Sequence, residues 1–152
     1  MFQLVYISKA SKSLGKSELT DLLRQANFNN KRVGISGILV YKDEQFVQVL
    51  EGDETVIRGL FEKITKDPRH TQVTILSQGH ISQAEFPDWA MGFRELSQDD
   101  LLGLYGNKKS LGKSINIENF RTQPDACVKM LRFVRELQLV HVASEFSQTR
   151  DF

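Results

Sequence analysis

The sequence is poor in the features that define several large classes of protein. It has one cysteine, Cys127, which excludes an internal disulfide framework and is expected for a reducing compartment. No apolar run approaches the roughly 20 residues needed to span a bilayer, and no apolar signal region follows Met1. We therefore expect a cytoplasmic protein that makes no direct contact with a membrane.

Neither sign of charge is in excess, and metal-ligand patterns are lacking. Twenty Lys and Arg against nineteen Asp and Glu leave a net charge of +1. That balance offers no basic surface for direct binding of nucleic acid. The three histidines, His70, His80 and His141, show no ligand spacing with one another or with Cys127, so no metal site is predicted.

The arrangement of the periodic segments predicts an α+β fold. A chain of 152 residues can bury one core and carry an appended helix. Amphipathic helices are expected from an N-cap at Ser17 to about residue 28 and from Asp53 to about Asp67, and strands over 2–8, 34–41, 45–51, 73–77 and 90–96. The order β-α-β-β-α-β with one further strand predicts a ferredoxin-like sheet with both helices on one face. A flat ligand could lie between those helices.

A hairpin is predicted where the polar residues 42–45 separate two strands. If Asp43 and Glu44 form the turn, Leu39 lies opposite Gln48 and Gly37 lies opposite Leu50. A glycine in mid-strand allows another group to approach the backbone closely. Gly37 therefore predicts either room for a ligand on the Gln48 face or a bulge.

The C-terminal third has a weaker pattern. A Gly/Lys/Ser-rich linker precedes a helix predicted over about 124–139, whose apolar side is expected to cover the open face of the sheet or to meet a partner. Cys127 falls on that side, where a cysteine usually acts as a small hydrophobe. We expect residues 1–97 to form one domain and residues 98–152 a C-terminal helical extension.

Gln48 is the residue of the predicted core whose burial is least favourable. Strand alternation places it on one face with Phe46 and Leu50, both of which favour burial. A buried amide without a partner costs about 1–3 kcal/mol. A polar partner for Gln48 is therefore expected.

Two other patterns suggest enzymes. Residues 10–17 match a permissive phosphate-binding P-loop, and Lys16 and Ser17 would then serve a divergent nucleotide hydrolase. The following helix leads into a hairpin, however, where such a hydrolase would have a parallel crossover sheet. Arg69 and His70 are adjacent, but without a triad or metal spacing they are more typical of a surface loop.

Five short motifs, taken in order, resemble the BLUF family of blue-light sensors that use flavin. They are Tyr6 with Ser8, Asn29-Asn30 followed by residues 34–39, residues 46–52, residues 67–70, and Trp89-Ala90-Met91. The resemblance covers roughly residues 1–97. It implies the ferredoxin-like fold expected above, with a flavin between the two helices, usually FAD, with FMN or riboflavin as alternatives.

The resemblance also implies roles for individual residues. Tyr6 and Gln48 match the photochemical pair, with Gln48 bonded to both the Tyr6 hydroxyl and the flavin. The positions that match flavin contacts are Asn29, Asn30, Gln48, Lys63, Asp67, Arg69 and His70. Those that match signalling positions are Ser8, Trp89 and Met91. Lys63 stands where many members carry Arg, which puts bidentate binding in doubt there.

The implied activity is photochemical and not enzymatic. Excited flavin oxidises Tyr6, a proton moves through Gln48, and Gln48 is left rotated or tautomerised, which produces a reversible red shift without a lasting covalent bond. The signal would pass to a downstream regulator protein or change a homo-oligomer. The alternatives are a flavin-free ferredoxin-like ligand-binding or interaction module and, least favoured, the P-loop hydrolase.

Overall fold

The computed structural model of the chain describes residues 1–86, 91–100 and 120–145, with side chains to residue 137. The strands are β1 (Phe2–Ala10), β2 (Ser36–Lys42), β3 (Gln45–Gly52), β4 (His70–His80) and β5 (Gly92–Glu95). The helices are α1 (Lys16–Val33), α2 (Glu54–Thr65) and α3 (Pro124–Glu145).

The strands form one sheet in the order β4-β1-β3-β2-β5. β2 and β5 pair in parallel, whereas the other neighbours are antiparallel. The β2–β3 hairpin turns at Asp43 and Glu44, whose φ angles are 50° and 63°. Positive φ at both central residues is the turn geometry that matches the twist of a hairpin. The predicted register, Leu39 opposite Gln48, is confirmed.

Two apolar layers enclose the sheet. On one face, α1 and α2 bury Leu19, Leu23 and Ile57 against residues of β1, β2 and β3. On the other face, Cys127, Met130, Leu131 and Val134 of α3 pack against Val5, Ile7, Ile38, Val40, Val47 and Val49. The ferredoxin-like α+β fold with both helices on one face is confirmed, and α3 covers the opposite face.

The first helix is longer than its pattern predicts. α1 continues to Val33 and stops at Gly34, which adopts the left-handed conformation with φ 70°. Glycine tolerates that conformation because it has no Cβ, and it commonly terminates helices. The helix begins after Gly15, so Ser17 lies within the first turn and is not the N-cap. The expected end near residue 28 is therefore wrong.

β4 is also longer than predicted. It runs over eleven residues, most of them exposed, and pairs with β1 along nearly the whole length of that strand. Polar residues such as Gln72 and Gln78 obscure the strand pattern in the sequence. The backbone hydrogen bonds that β1 offers extend the strand regardless of those side chains.

Gly37 is required by the neighbouring strand and does not open space for a ligand. A Cβ at this position would lie 1.8 Å from the carbonyl oxygen of Val49 on β3. Gly37 is not among the residues that line the cavity described below. The expectation that Gly37 leaves room for a ligand on the Gln48 face is therefore wrong.

Gly37→Ala should destabilise the fold by about 2 kcal/mol or more, because two paired strands must separate to admit the methyl group. Chemical denaturation of the holoprotein would measure the loss. Gly59→Ala is a suitable control, since a Cβ on Gly59 of α2 meets nothing within 4 Å. Equal stability of the Gly37 variant and the wild type would contradict the close approach.

Candidate functional site

A cavity of about 220 Å³ lies between α1 and α2, above the middle of the sheet. Its floor comes from three strands, its walls from the two helices, and one end from the chain that leaves α2. The lining residues are Tyr6, Leu22, Gln25, Ala26, Asn29, Asn30, Leu39, Phe46, Gln48, Leu60, Lys63, Ile64, Asp67, Arg69 and His70.

The cavity is apolar in its walls and polar at its ends. Tyr6, Asn30 and Gln48 are buried in its depth, whereas Lys63 and Arg69 are exposed at its mouth. An apolar slot with a few directed polar groups is the usual form of a small-molecule site. A ring system could enter the slot while a charged tail stayed at the mouth.

Gln48 has two buried partners, which meets the expectation from the strand pattern. The Tyr6 hydroxyl, on the paired position of β1, donates a hydrogen bond to Gln48 Oε1. Gln48 Nε2 donates to the sulfur of Met91 at 3.3 Å. A thioether is a weak acceptor. The Gln48 amide thus makes one strong hydrogen bond, with Tyr6, and one weak one, with Met91. Exchanging the positions of its oxygen and nitrogen therefore costs little on the Met91 side.

The Tyr6 hydroxyl is held in its protonated form. Burial raises the pKa of Tyr6 well above its ordinary value, and the nearby Asp67 carboxylate raises it further. Burial disfavours the charged phenolate because water no longer solvates it. Tyr6 is therefore a neutral phenol at neutral pH, and its hydroxyl proton points to the Gln48 oxygen.

The mouth of the cavity carries an ordered ion pair. Arg69 Nε lies 3.0 Å from Asp67 Oδ1, and the Arg69 backbone N–H donates to the same oxygen at 2.9 Å. The hydrogen bonds from the Arg69 side chain lower the pKa of Asp67 against the opposing effect of partial burial. Asp67 therefore remains ionised beside the cavity.

His70 is not a surface-loop residue. It begins β4, and its ring bonds Ser8 Oγ through Nδ1 at 2.9 Å and the Ile64 carbonyl through Nε2. Its ring also packs edge-on against Tyr6, with centroids 6.3 Å apart. Arg69, by contrast, is exposed as the sequence predicts. Ser8 is fully buried and reaches the site through His70.

The structure brings most of the proposed site residues together. Tyr6, Asn29, Asn30, Gln48, Lys63, Asp67, Arg69 and His70 all line the cavity. Met91 joins through its contact with Gln48, and Trp89 lies outside the described residues. Asn29 and Asn30 belong to the last turns of α1 and do not form a turn after it.

Sequence reasoning missed several residues of α1. Gln25 and Ala26 line the cavity one turn before Asn29 and Leu22 two turns before it, and their helical spacing could have indicated them. Asn27 was also missed: its side chain donates to the Met91 carbonyl at 3.1 Å and so ties α1 to the chain entering β5. No sequence signal predicts that contact.

The P-loop-like segment does not form a nucleotide site. β1 leads into it, but both neighbours of β1 are antiparallel, unlike the parallel sheet that a nucleotide hydrolase requires. Ser11 and Ser13 bond Pro68 and Glu44, and Lys12 pairs with Glu18. Among the described residues, no group of three His, Cys, Asp or Glu side chains is placed to hold a metal ion. No helix in the described part is both long and apolar enough to cross a membrane.

Comparison with known families assigns the chain. The family model described as BLUF, sensors of blue-light using FAD, matches residues 1–92. The chain belongs to the BLUF family. It is accordingly a blue-light photoreceptor, and its cofactor is a flavin, FAD by the definition of the family.

Curated relatives include subunits of much larger proteins. The photoactivated adenylate cyclase subunit beta of Euglena longa is 35% identical over 89 residues, which is 58% of this chain and 10% of that protein. The corresponding subunit of Euglena gracilis is 34% identical over 91 residues, or 59% of this chain and 11% of that protein. This chain thus spans about a tenth of the length of these relatives.

Several solved structures, among them BlrB, which is described as a BLUF protein, share the fold over most of the chain. BlrB in its dark state has a TM-score of 0.70 and 27% identity, covering 89% of this chain and 95% of BlrB. The photo-activated state of BlsA has a TM-score of 0.64 and 29% identity, covering 82% of this chain and 92% of BlsA. A bacterial light-regulated adenylyl cyclase has a TM-score of 0.66 at 34% identity, covering 88% of this chain and 39% of that one.

The cavity fits the ring system of a flavin. Sites that enclose whole drug-sized ligands have volumes of roughly 300–1,000 Å³, so 220 Å³ suits a flat ring with the rest of the cofactor outside. The depth offers the Gln48 amide and the buried Asn30 to the polar edges of such a ring. The mouth offers Lys63 to anionic groups, whereas the Arg69 guanidinium there is paired with Asp67.

Proposed function

We propose that this photoreceptor works through Tyr6 and Gln48 as its photochemical pair. The observation that carries the proposal is the buried hydrogen bond from the Tyr6 hydroxyl to Gln48 Oε1 at the floor of the cavity. Both side chains come from the central strands of the sheet, so their separation is held by backbone pairing between β1 and β3.

When bound, the flavin absorbs blue light and supplies the electron acceptor. Tyr6 would then give up an electron and, because its oxidised phenol is strongly acidic, its proton would move to Gln48 Oε1 while Gln48 Nε2 releases a proton in turn. Burial keeps water from taking that proton. On the return of the electron and the proton, Tyr6 is restored, and Gln48 remains rotated or tautomerised.

Rearrangement of Gln48 changes two contacts together. Rotation of the amide presents Nε2 to Tyr6 and Oε1 to Met91, and the weak N–H···S bond present in the structure is lost. A neutral hydrogen bond contributes about 1 kcal/mol net. The signal is therefore a modest shift between two populations of the protein.

Polar residues around the cavity position the cofactor. Asn30, buried at the end of α1, would bond the polar edge of the ring, and Asn29 would contact it nearer the mouth. Lys63 would attract the anionic tail. Asp67 and Arg69 bind each other and would close that end, and His70 holds Ser8 below the ring.

We further propose that the chain turns over no substrate and signals to a downstream regulator protein or through a homo-oligomer in the cytoplasm. Residues 1–97 would act as the sensor and residues 98–152 as the output. This division is supported by α3, which packs on the face of the sheet opposite the cavity. The relatives named as photoactivated adenylate cyclase subunits support a link between a similar segment and an output activity.

The visible absorption spectrum of the purified protein in the dark, after blue light and during recovery tests the proposal. A flavin spectrum with a small reversible red shift is expected. Bound flavin without a shift would contradict the photochemical pair. A colourless protein that does not bind added FAD would favour the flavin-free ligand-binding or interaction module. Magnesium-dependent nucleotide turnover would favour the P-loop hydrolase.

Cys127→Ala should leave flavin binding and the red shift unchanged. Cys127 is buried on the α3 face of the sheet, away from the cavity, and burial raises the pKa of its thiol to about 12. It is therefore an unreactive core residue. Loss of the sulfur should cost about 1 kcal/mol of stability. A spectrum that no longer shifts would contradict a mechanism without cysteine chemistry.

A further inference from the structure

Glu51 is a fully buried acidic residue whose role the photochemical site does not explain. It lies on β3 three residues after Gln48, with an exposed fraction of 0%. Strand alternation directs it to the α3 face, opposite the cavity. Burial of a carboxylate is costly unless hydrogen bonds replace the lost water.

Three N–H groups satisfy this carboxylate. Gln3 Nε2, from the paired position on β1, donates to Oε2 at 2.8 Å. The backbone N–H groups of Glu85 and Phe86 donate to Oε2 and Oε1 at 3.0 and 2.8 Å. Two consecutive backbone donors outside any helix or strand thus depend on one side chain of β3.

The chain held by Glu51 contacts both β3 and α3. Phe86 is buried in the same apolar cluster as Met130 and Val134 of α3. Glu85 lies 3.6 Å from the guanidinium of Arg132, also on α3. A few residues further on, Met91 receives the hydrogen bond from Gln48. β3 therefore contacts Met91 through Gln48 on one face, and Glu85 and Phe86 through Glu51 on the other.

We propose that Glu51 is a positioning residue that couples Gln48 to α3. By fixing Glu85 and Phe86 it holds this pair between β3 and α3, and a change at Gln48 on the same strand is transmitted to α3 through Glu51 and the pair. This inference rests on the proposed function, because Gln48 must rearrange in light. It adds a mechanical link that the photochemistry itself does not need.

Glu51→Gln in the FAD-bound protein tests the coupling. The variant keeps the size of the side chain but replaces one acceptor oxygen with an NH₂ donor, so one backbone N–H loses its acceptor. The red shift should persist, since Tyr6 and Gln48 are intact. The light-minus-dark difference in amide hydrogen exchange over residues 85–86 and 124–137 should fall about fivefold or more.

Gln3→Met is the matched control. It removes the third hydrogen bond to the same carboxylate but leaves Glu85 and Phe86 attached, so the light-induced exchange difference should stay near that of the wild type. A full exchange difference in Glu51→Gln would overturn the proposal. So would loss of flavin or of the red shift in that variant, which would make Glu51 a structural residue only.

The wild-type protein provides a second test that needs no variant. Backbone amides of Glu85 and Phe86 should exchange slowly in the dark, although they belong to no helix or strand, and faster in light. Equal rates in both states, with the red shift present, would exclude the coupling while leaving the photochemical pair intact. A missing red shift would instead count against the proposed function.

Discussion

Tyr6→Phe is expected to bind FAD with little change in affinity and to show no red shift after blue light. The phenylalanine ring fills the same buried position on β1. Without the hydroxyl, no proton can accompany the electron, and Gln48 Oε1 loses its donor. Visible spectra recorded before and after illumination would check both parts of this expectation.

Tyr41→Phe is the control for this variant. Tyr41 is also buried on the helix-covered face of the sheet, but it packs against Phe46 and does not line the cavity. Its variant should keep the full shift. A normal photocycle in Tyr6→Phe would disprove the role of Tyr6, and loss of the shift in both variants would indicate a general effect of removing a tyrosine hydroxyl.

Gln48→Leu is expected to be equally insensitive to light. Leucine has a similar size and can pack against Met91, but it cannot accept a proton or exchange the ends of an amide. The Tyr6 hydroxyl would be left buried without its acceptor, and such a group costs about 1–3 kcal/mol. We therefore expect lower stability in chemical denaturation together with an absent red shift.

Gln45→Leu is the control that distinguishes an effect on the site from a general effect on β3. It makes the same change on β3, three residues earlier, at a buried position beyond the cavity lining. The red shift should survive there. If Gln48→Leu retained a reversible shift with bound FAD, the amide could not be the proton carrier, and another polar neighbour of Tyr6 would have to be sought.

Local patterns in the sequence anticipated much of the fold and of the site. Alternation on β3 put Gln48 among apolar residues, and the hairpin residues set its register with Leu39. These features depend on neighbours a few residues apart, which is the range over which periodicity and turn chemistry act. The motifs around Tyr6, Asn30 and Asp67 then identified the family.

Other features depend on distant contacts. The full length of β4 comes from the hydrogen bonds that β1 offers it, since most β4 side chains are exposed. The half-buried position of His70 depends on Ser8 and on Ile64, which bond its ring from β1 and α2. The sequence suggested that Gly37 leaves room for a ligand, whereas in the structure the backbone of β3 lies close against it.

The sequence by itself determined the order of elements, the hairpin register and the need of Gln48 for a polar partner, because each follows from backbone geometry and local burial. Only the tertiary structure decided that Met91 is a second partner of Gln48, and that Glu51 binds the backbone of Glu85 and Phe86. Such contacts join residues more than thirty positions apart. Their formation depends on how the sheet and helices pack, and no local pattern records it.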